Sequence, residues 1–307
     1  MCKISVIITT YNHRDFILET LDSVFAQTLS EYEVIVINDG SSDDTEDLLL
    51  PLARAGRIRN ILQDNSGPGA ARNRGIAEAR GEFIALLDDD DIWPPDKLQW
   101  QIAAIQKDSS IAVVYGFFES FGHPPLCRHP GNWGPDGWVL QEVYRRNWIK
   151  SPGQTLIRAS AVKRVGGFDT SIWGADDWDL WIRLAEIGRF NYVPKLALLY
   201  RQHHSNASKD IMKMYINSMK VLHKNQGSLP NFRNWHAWIS AWRFILSFSR
   251  RNALDSMQQA ISVGDSRKAV HMWLVAQRFA AAGSGTDQLL GFLSGQVSRK
   301  LLPRTRS

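Results

Sequence analysis

The sequence predicts an α/β protein in which a mainly parallel sheet, flanked by helices, is followed by a helical C-terminal region. Three observations lead there. Short β-branched apolar runs alternate with helical patterns over the first 118 residues. Gly, Pro, Asn and Asp punctuate the changes of period, and beyond Asn206 the spacing is helical only.

Five runs have the length and composition of buried strands: Ile4 to Thr9, Glu33 to Asn38, Ile58 to Gln63, Glu82 to Leu87 and Ile111 to Gly116. Between the first two, Ile17, Leu18, Leu21, Val24 and Phe25 form one apolar helical face, with Asn12 expected as N-cap and Asp15 in the first turn. Ala70 to Arg80 is an alanine-rich helix entered through Gly67-Pro68-Gly69 and closed by Gly81. Repeated strand–helix alternation favours a parallel sheet, whose ligands lie beyond the carboxyl ends of the strands. From Phe117 to Lys150 the crowding of Pro, Gly and Trp in "HPPLCRHPGNWGPDGW" reads as irregular loops. "QTLIRASAVKRVGGFD", a helix from about Ala175 to Glu186 and a strand "LALLYR" follow. "WHAWISAWRFILSF" and "RKAVHMWLVAQRFAAAG" are amphipathic helices, with loops expected at Gly227 to Pro230 and Gly283 to Thr286. The chain thus divides into residues 1–118, 119–206 as the second half of the same domain, and a helical region at 207–307.

Cys2 and Cys127 are too few for a disulfide framework and lack metal-ligand spacing, so a reducing compartment is expected. "MCKISVIITTYN" is too short in apolar residues for a signal peptide, and no window reaches about 18 uninterrupted apolar residues. The expected location is cytoplasmic, with the inner face of the membrane as a peripheral option. Charge is divided unevenly: from Lys209 onward 15 Lys+Arg face 4 Asp+Glu, a net of +11, which leaves about −6 for the first 208 residues. An acidic front half suits a cation site and a basic tail suits an anionic surface, or simply a solvated helical face.

The strand-end loops carry the chemistry. They read "TTYN", "NDGSSDDT", "QDNSGPGAARN" and "DDDD", so Thr9, Tyr11, Asp39, Arg72 and Asp88 to Asp91 are expected along one cleft. Four adjacent carboxylates repel and raise one another's pKa, a cost that a divalent cation removes. Hard oxygen ligands and a phosphate partner select Mg²⁺ or Mn²⁺. Capping of the helix at "IWPPDKL" accounts for one of these acids and not for four. In "GADDWDLWIRL" a helix beginning near Asp176 puts Asp177 on the face of Leu180, Trp181 and Leu184, pointing inward.

"SVIITTYN", "VIVINDGSSDDT", "GPGAARNRGIAEARGEFIALLDDDDIWPPDKL" and "GADDWDLWIRL" together resemble the successive motifs of the family 2 glycosyltransferases, inverting enzymes of the Rossmann-like GT-A fold. The resemblance spans roughly residues 3 to 205 and does not reach the helical tail. It implies that residues 1–118 bind a nucleotide-sugar donor and 119–206 the acceptor and base. Asp39 then contacts the nucleotide base, Thr9 and Tyr11 line the first loop, and Arg72 lies near base and diphosphate. The D-x-D motif maps onto Asp88-Asp89-Asp90: Asp90 is the direct metal ligand, and Asp88 and Asp89 reach ribose, metal-bound water or, for Asp88, the metal. Asp91 is left as a cap for the Pro94 helix. Asp177 is the general base, Asp176 a helix cap and Asp179 structural. His203 of "YRQHHSNAS" is a further metal-ligand candidate, preferred over His204. Gln154 and Thr155, in "SPGQTLIR", either touch substrate or end a strand.

The implied activity is inverting transfer from a nucleotide-diphosphate sugar, UDP-sugar favoured by Asp39, to a hydroxyl of a carbohydrate or lipid-linked acceptor in polysaccharide, cell-envelope or other glycoconjugate synthesis. A sugar-phosphate nucleotidyltransferase competes, but its Gly-rich first loop is absent from "TTYNHRD". A non-catalytic nucleotide- or carbohydrate-binding relative would have lost acids that are all present here. No motif supports a nucleic-acid partner. Peripheral membrane contact through Trp235, Trp238, Trp242 and Phe244 beside Arg250 and Arg251 competes with a helical core built of the same aromatics.

Overall fold

The computed structural model describes residues 3–122, 133–203, 210–228 and 232–284, with side chains left out of the description at 228, 232–236 and 281–284. Seven strands form one sheet: β1 (Ile4–Thr10), β2 (Tyr32–Asn38), β3 (Arg59–Leu62), β4 (Phe83–Asp88), β5 (Ile111–Gly122), β6 (Thr155–Arg158) and β7 (Arg189–Gln202). Their order is β3-β2-β1-β4-β6-β5-β7. Only β6 runs antiparallel to its neighbours.

Successive strand residues point to opposite faces, and each face has its own core. Ile7, Ile35, Ile37, Ile84 and Leu86 pack on one side, with α3 (Pro68–Glu78), α5 (Leu140–Arg145) and α7 (Asp176–Ile187). Val6, Ile8, Val34, Val36, Ala85 and Leu87 pack on the other, against α1 (Ile17–Phe25), α2 (Thr45–Arg54) and α4 (Lys97–Ile105). Burial on both faces is why these strands are apolar throughout and do not alternate.

Several expectations change. Asn12 does not cap α1: it adopts φ 55°, and its Oδ1 accepts from the Ser42 N–H at 2.7 Å, joining the first two strand-end loops. The strand expected to end at Gly116 continues to Gly122, because the 14-residue β7 pairs along it. Within the expected loop region Leu140–Arg145 forms α5, which the aromatic and Pro/Gly content of its surroundings concealed. Cys127 and His204 lie outside the described residues.

After α6 (Ala159–Arg164), α7 and β7, the C-terminal region comprises α8 (Ile211–Lys224), α9 (Phe232–Ser262) and α10 (Ser266–Ser284). The expected 227–230 loop begins as a 3₁₀ turn at Gln226–Ser228. The chain reverses at Gly264 (φ 76°), and α10 continues through Gly283 to Ser284, where a loop was expected to begin. Val221, Leu222, Trp242, Ile245 and Leu246 join the same core as Tyr144 and Trp178. Trp242 is buried and stacks with Trp238 at 6.1 Å, so these two aromatics pack inward; the Trp235 side chain lies outside the description. Among the described residues no helix is long and apolar enough to cross a membrane.

One close approach positions the site. A Cβ on Gly75 of α3 would stand 2.2 Å from Ile7 Cγ2 of β1, so only glycine lets the helix settle on the strand. Gly75→Ala is expected to destabilise the protein by about 1–3 kcal/mol through overpacking, read as a lower midpoint in urea unfolding.

Candidate active site

Parallel pairing brings the strand ends together: Thr9 of β1 lies opposite Asp88 of β4 and Ile37 of β2. The loop after β1 folds over the acidic run. Tyr11 N–H donates to Asp89 Oδ2 at 3.3 Å, and His13 Nδ1 stands 2.7 Å from Asp89 Oδ1. The Tyr11 side chain is 46 % exposed and Thr9 is half-buried.

The four aspartates meet four environments. Asp88 accepts from Arg72 Nη2 at 2.7 Å and from Ser151 Oγ at 3.4 Å. Asp89 is buried against His13 and Tyr11. Asp90 Oδ2 is 2.7 Å from His203 Nε2, while its carbonyl accepts from Arg201 Nε. Asp91 is fully buried and accepts the Arg201 N–H at 2.9 Å. It therefore does not cap the helix after Pro94, which begins at Lys97 behind Asp96. Burial, reinforced by Asp90 and Asp88, pushes Asp91 well above the usual carboxylate range. Burial also raises Asp89, against the hydrogen bond from His13. The same hydrogen bond lifts His13 to about 8.

His13, Asp89 and Asp90 each offer a ligand atom, all within 4.8 Å of one another. The His203 ring lies 5.6 Å from that of His13. Asp88, engaged by Arg72, falls outside this triplet. His13 escaped the sequence reading: it sits in the right loop, but a single histidine has no spacing pattern to mark it.

Arg72 is the joint between the two acidic motifs. It is buried in the first turns of α3, with Nη2 on Asp88 and Nη1 on Asp176 Oδ2 at 3.0 Å. Burial opposes its charge, and Asp88 and Asp176 outweigh that, so its pKa stands above the ordinary arginine value. The Asp176 carboxylate is thus taken by an ion pair in place of the expected capping role.

Asp177 begins the inward face of α7 at 8 % exposure. Its Oδ1 accepts the Trp178 N–H at 2.6 Å, and Asn147 Nδ2 stands 3.4–3.5 Å from its two oxygens. Burial, then the charge of Asp176, pushes its pKa up to about 7 against the pull of Arg72. Burial pulls the Lys150 ammonium below its usual value, against the charges of Asp177 and Asp91. Neither Asn147 nor Lys150 has a sequence signal of its own. Asp179 is structural: fully buried, it binds Arg183 at 2.7 Å and Lys224 at 2.9 Å, tying α7 to α8.

Asp39 fixes the third loop, accepting from Gln63 Nε2 at 2.7 Å and from the Ser66 and Gly67 N–H groups, both at 2.9 Å. Gln154 Nε2 donates to the Gly116 carbonyl, and Thr155 Oγ1 to the Pro152 carbonyl. Of their two open readings the structure favours the strand end: both are buried where β6 begins.

The model of glycosyl transferase family 2 matches residues 5–166, more than half of the chain. The chain belongs to glycosyl transferase family 2. An Escherichia coli chondroitin synthase is 30 % identical over 74 % of this chain and 33 % of its own length. An uncharacterized glycosyltransferase of Rickettsia felis is 28 % identical over 68 % of this chain and 35 % of its own length. The chain thus spans about a third of these two relatives. Staphylococcus aureus TarS 1–349 in complex with UDP-GlcNAc matches with a TM-score of 0.60 at 18 % identity, over 93 % of this chain and 92 % of that one. A Pyrobaculum calidifontis mannosyltransferase in complex with GDP-Man and Mn²⁺ gives 0.61 at 18 %, over 94 % and 85 %. The family match and the sheet topology make the fold GT-A.

The raised pKa of Asp177 has a consequence for stability. Between the unfolded value near 4 and about 7, the unfolded chain releases this proton and the folded chain keeps it, so its contribution falls as pH rises. Asp177→Asn is expected to raise the melting temperature at pH 8 relative to the parent, with a smaller difference at pH 4. Thermal denaturation at the two pH values reads the difference.

Proposed function

We propose that this family 2 protein is an inverting, metal-dependent glycosyltransferase that moves a sugar from a nucleoside-diphosphate sugar to a hydroxyl acceptor. The observation that carries the reading is the ion-pair chain Asp88–Arg72–Asp176, which holds the acidic strand end and the helix bearing Asp177 at one lip of the sheet.

Asp177 takes the proton of the attacking hydroxyl. One of its oxygens accepts the Trp178 N–H, and the other, Oδ2, has the Asn147 amide 3.4 Å away and a remaining lone pair for the acceptor. With a pKa near 7, the group changes state close to neutral pH, where a base both exists ionised and retains proton affinity. The hydroxyl approaches on the face opposite the leaving diphosphate, so the anomeric centre inverts. Asp39, Thr9, Tyr11, Asp88 and Asp89 line the donor side, and Arg72 acts by holding Asp88.

The donor set fits a divalent cation: two carboxylates and an imidazole converge, and His203 stands against Asp90. Asp89, Asp90 and His13 would hold it, with His203 alongside. When bound, such an ion supplies charge compensation for the diphosphate. Imidazole nitrogen among carboxylates suits Mn²⁺ better than the stricter oxygen preference of Mg²⁺. The Mn²⁺ complex of the mannosyltransferase with this fold supports the choice. A uridine donor is favoured by Asp39 and supported by the UDP-GlcNAc complex of TarS. The acceptor is a carbohydrate or lipid-linked hydroxyl.

Asp177→Asn should lower transfer about 10²–10⁴-fold while leaving donor affinity intact, and the parent's turnover should rise with pH along a limb centred near 7. Near-parental transfer by the variant would remove Asp177 from the chemistry. Calorimetry of UDP binding with and without Mn²⁺ should show the Mn²⁺-dependent gain abolished in Asp90→Ala and reduced in His13→Ala. An unchanged gain in both would displace the metal site.

A further inference from the structure

We propose that Trp93, Lys97 and Gln101 are positioning residues for the transfer: together they grip loop 153–155 and so set Ser151 against Asp88; this rests on the glycosyl-transfer reading above. Lys97 and Gln101 share one face of α4, and Trp93 precedes that helix at the same spacing. Each donates to one of three consecutive carbonyls. The Trp93 Nε1–H takes that of Gly153 at 2.8 Å, Gln101 Nε2 that of Gln154 at 2.8 Å and Lys97 Nζ that of Thr155 at 3.1 Å.

Packing alone does not call for these side chains. Lys97 and Gln101 are fully buried and Trp93 nearly so. Among the described residues no carboxylate pairs with Lys97; its Nζ stands 3.7 Å from the centre of the Trp93 ring, and burial pulls its pKa well below the usual lysine value. Gln101 leaves its Oε1 buried without a partner. Burying such groups is costly, and apolar side chains of similar length would fill the space without that cost. What apolar side chains cannot supply is a donor at each carbonyl. The loop is held from its other sides as well. A Cβ on Gly153 would stand 2.8 Å from Leu198 Cδ1 of β7. Gln154 Nε2 donates to the Gly116 carbonyl of β5 at 2.8 Å, and its Oε1 accepts the N–H groups of Lys150 and Ser151 at 2.7 and 3.2 Å.

The loop held in this way carries groups that face the proposed reaction. Ser151 Oγ donates to Asp88 Oδ2 at 3.4 Å while Arg72 holds Oδ1 at 2.7 Å, so each oxygen of Asp88 has a donor. Asn147 of the same segment stands beside Asp177. The grip begins just after the acidic run, at Trp93, whose own N–H donates to Ser23 Oγ at 3.2 Å. The acidic strand end and the segment beside the proposed base therefore share one anchor. Small displacements of reacting groups cost large factors in rate, so such an anchor matters to turnover as well as to stability.

The test uses the full chain with Mn²⁺ and a panel of UDP-sugars, with release of UDP as the measured rate. Lys97→Met and Trp93→Phe each remove one donor from the grip while keeping most of the bulk. Both are expected to raise deuterium uptake at 147–155, to lower kcat about 10–100-fold and to leave UDP affinity within about twofold, because Arg72 still holds Asp88. Trp93→Phe decides the matter if Lys97→Met does not fold. Ser151→Ala should itself lower kcat, and Lys97→Met should cost much less in that background than in the parent, a coupling that a general loss of stability does not produce. Parental kcat in the folded variants, or effects that add fully to those of Ser151→Ala, would overturn the positioning role. A parent that turns over no UDP-sugar and binds no nucleotide overturns the reading of the reaction instead, while deuterium uptake still shows whether the grip holds the loop.

Discussion

A buried guanidinium between two carboxylates organises the functional half of this molecule. Arg72 comes from the first turns of α3, Asp88 from the end of β4 and Asp176 from the start of α7, elements separated by up to 104 residues. Each charge is costly to bury alone, and removing any one leaves its partners uncompensated in a medium of low polarizability. The planar fork of arginine serves two carboxylates at once, which the point charge of lysine does not. The placement depends on Gly75, one turn further along α3, which lets the helix settle on β1 deeply enough for Arg72 to reach both.

The acidic run shows how folding distributes a charge cost that no local structure can absorb. Asp88 is neutralised by arginine, Asp89 and Asp90 face histidines, and Asp91 is driven toward its protonated form by burial and its neighbours. The two middle acids are thus the pair whose compensating groups are themselves able to ligate a metal. Asp177 has a related history: burial near Asp176 raises its proton affinity, with Arg72 limiting the rise. One arginine therefore shapes the acidic strand end and the proposed base together.

The segment from Trp133 to Thr155 performs a complementary task. Its anchors are backbone carbonyls, a capping box at Ser151 and Gln154, and glycine where rings crowd the chain. Such fixings set Asn147 beside Asp177 and Lys150 over the Tyr200 ring. The C-terminal helices close the back of the same region. Tyr144 of α5 donates to the Leu222 carbonyl of α8, and Asp179 of α7 holds Lys224 and Asn225. Their apolar stripes pack on the core shared with α7, which accounts for the amphipathic spacing of Trp238 and Trp242.

The sequence by itself determined the strands of the front half, the acidic and polar ends of those strands and the family, because buried parallel strands and motif spacing are written in consecutive residues. It also put Asp177 on the inward face of its helix, a matter of 3.6-residue periodicity. Only the tertiary structure decided that β6 inserts between β4 and β5, since strand order follows from packing across 40 residues or more. The same holds for the convergence of His13 with Asp89 and Asp90, the capture of Asp176 by Arg72, the burial of Asp91 and the meeting of Trp133 with Trp148. Each depends on a partner far away in the chain. A lone histidine or tryptophan acquires its meaning from what the fold sets beside it.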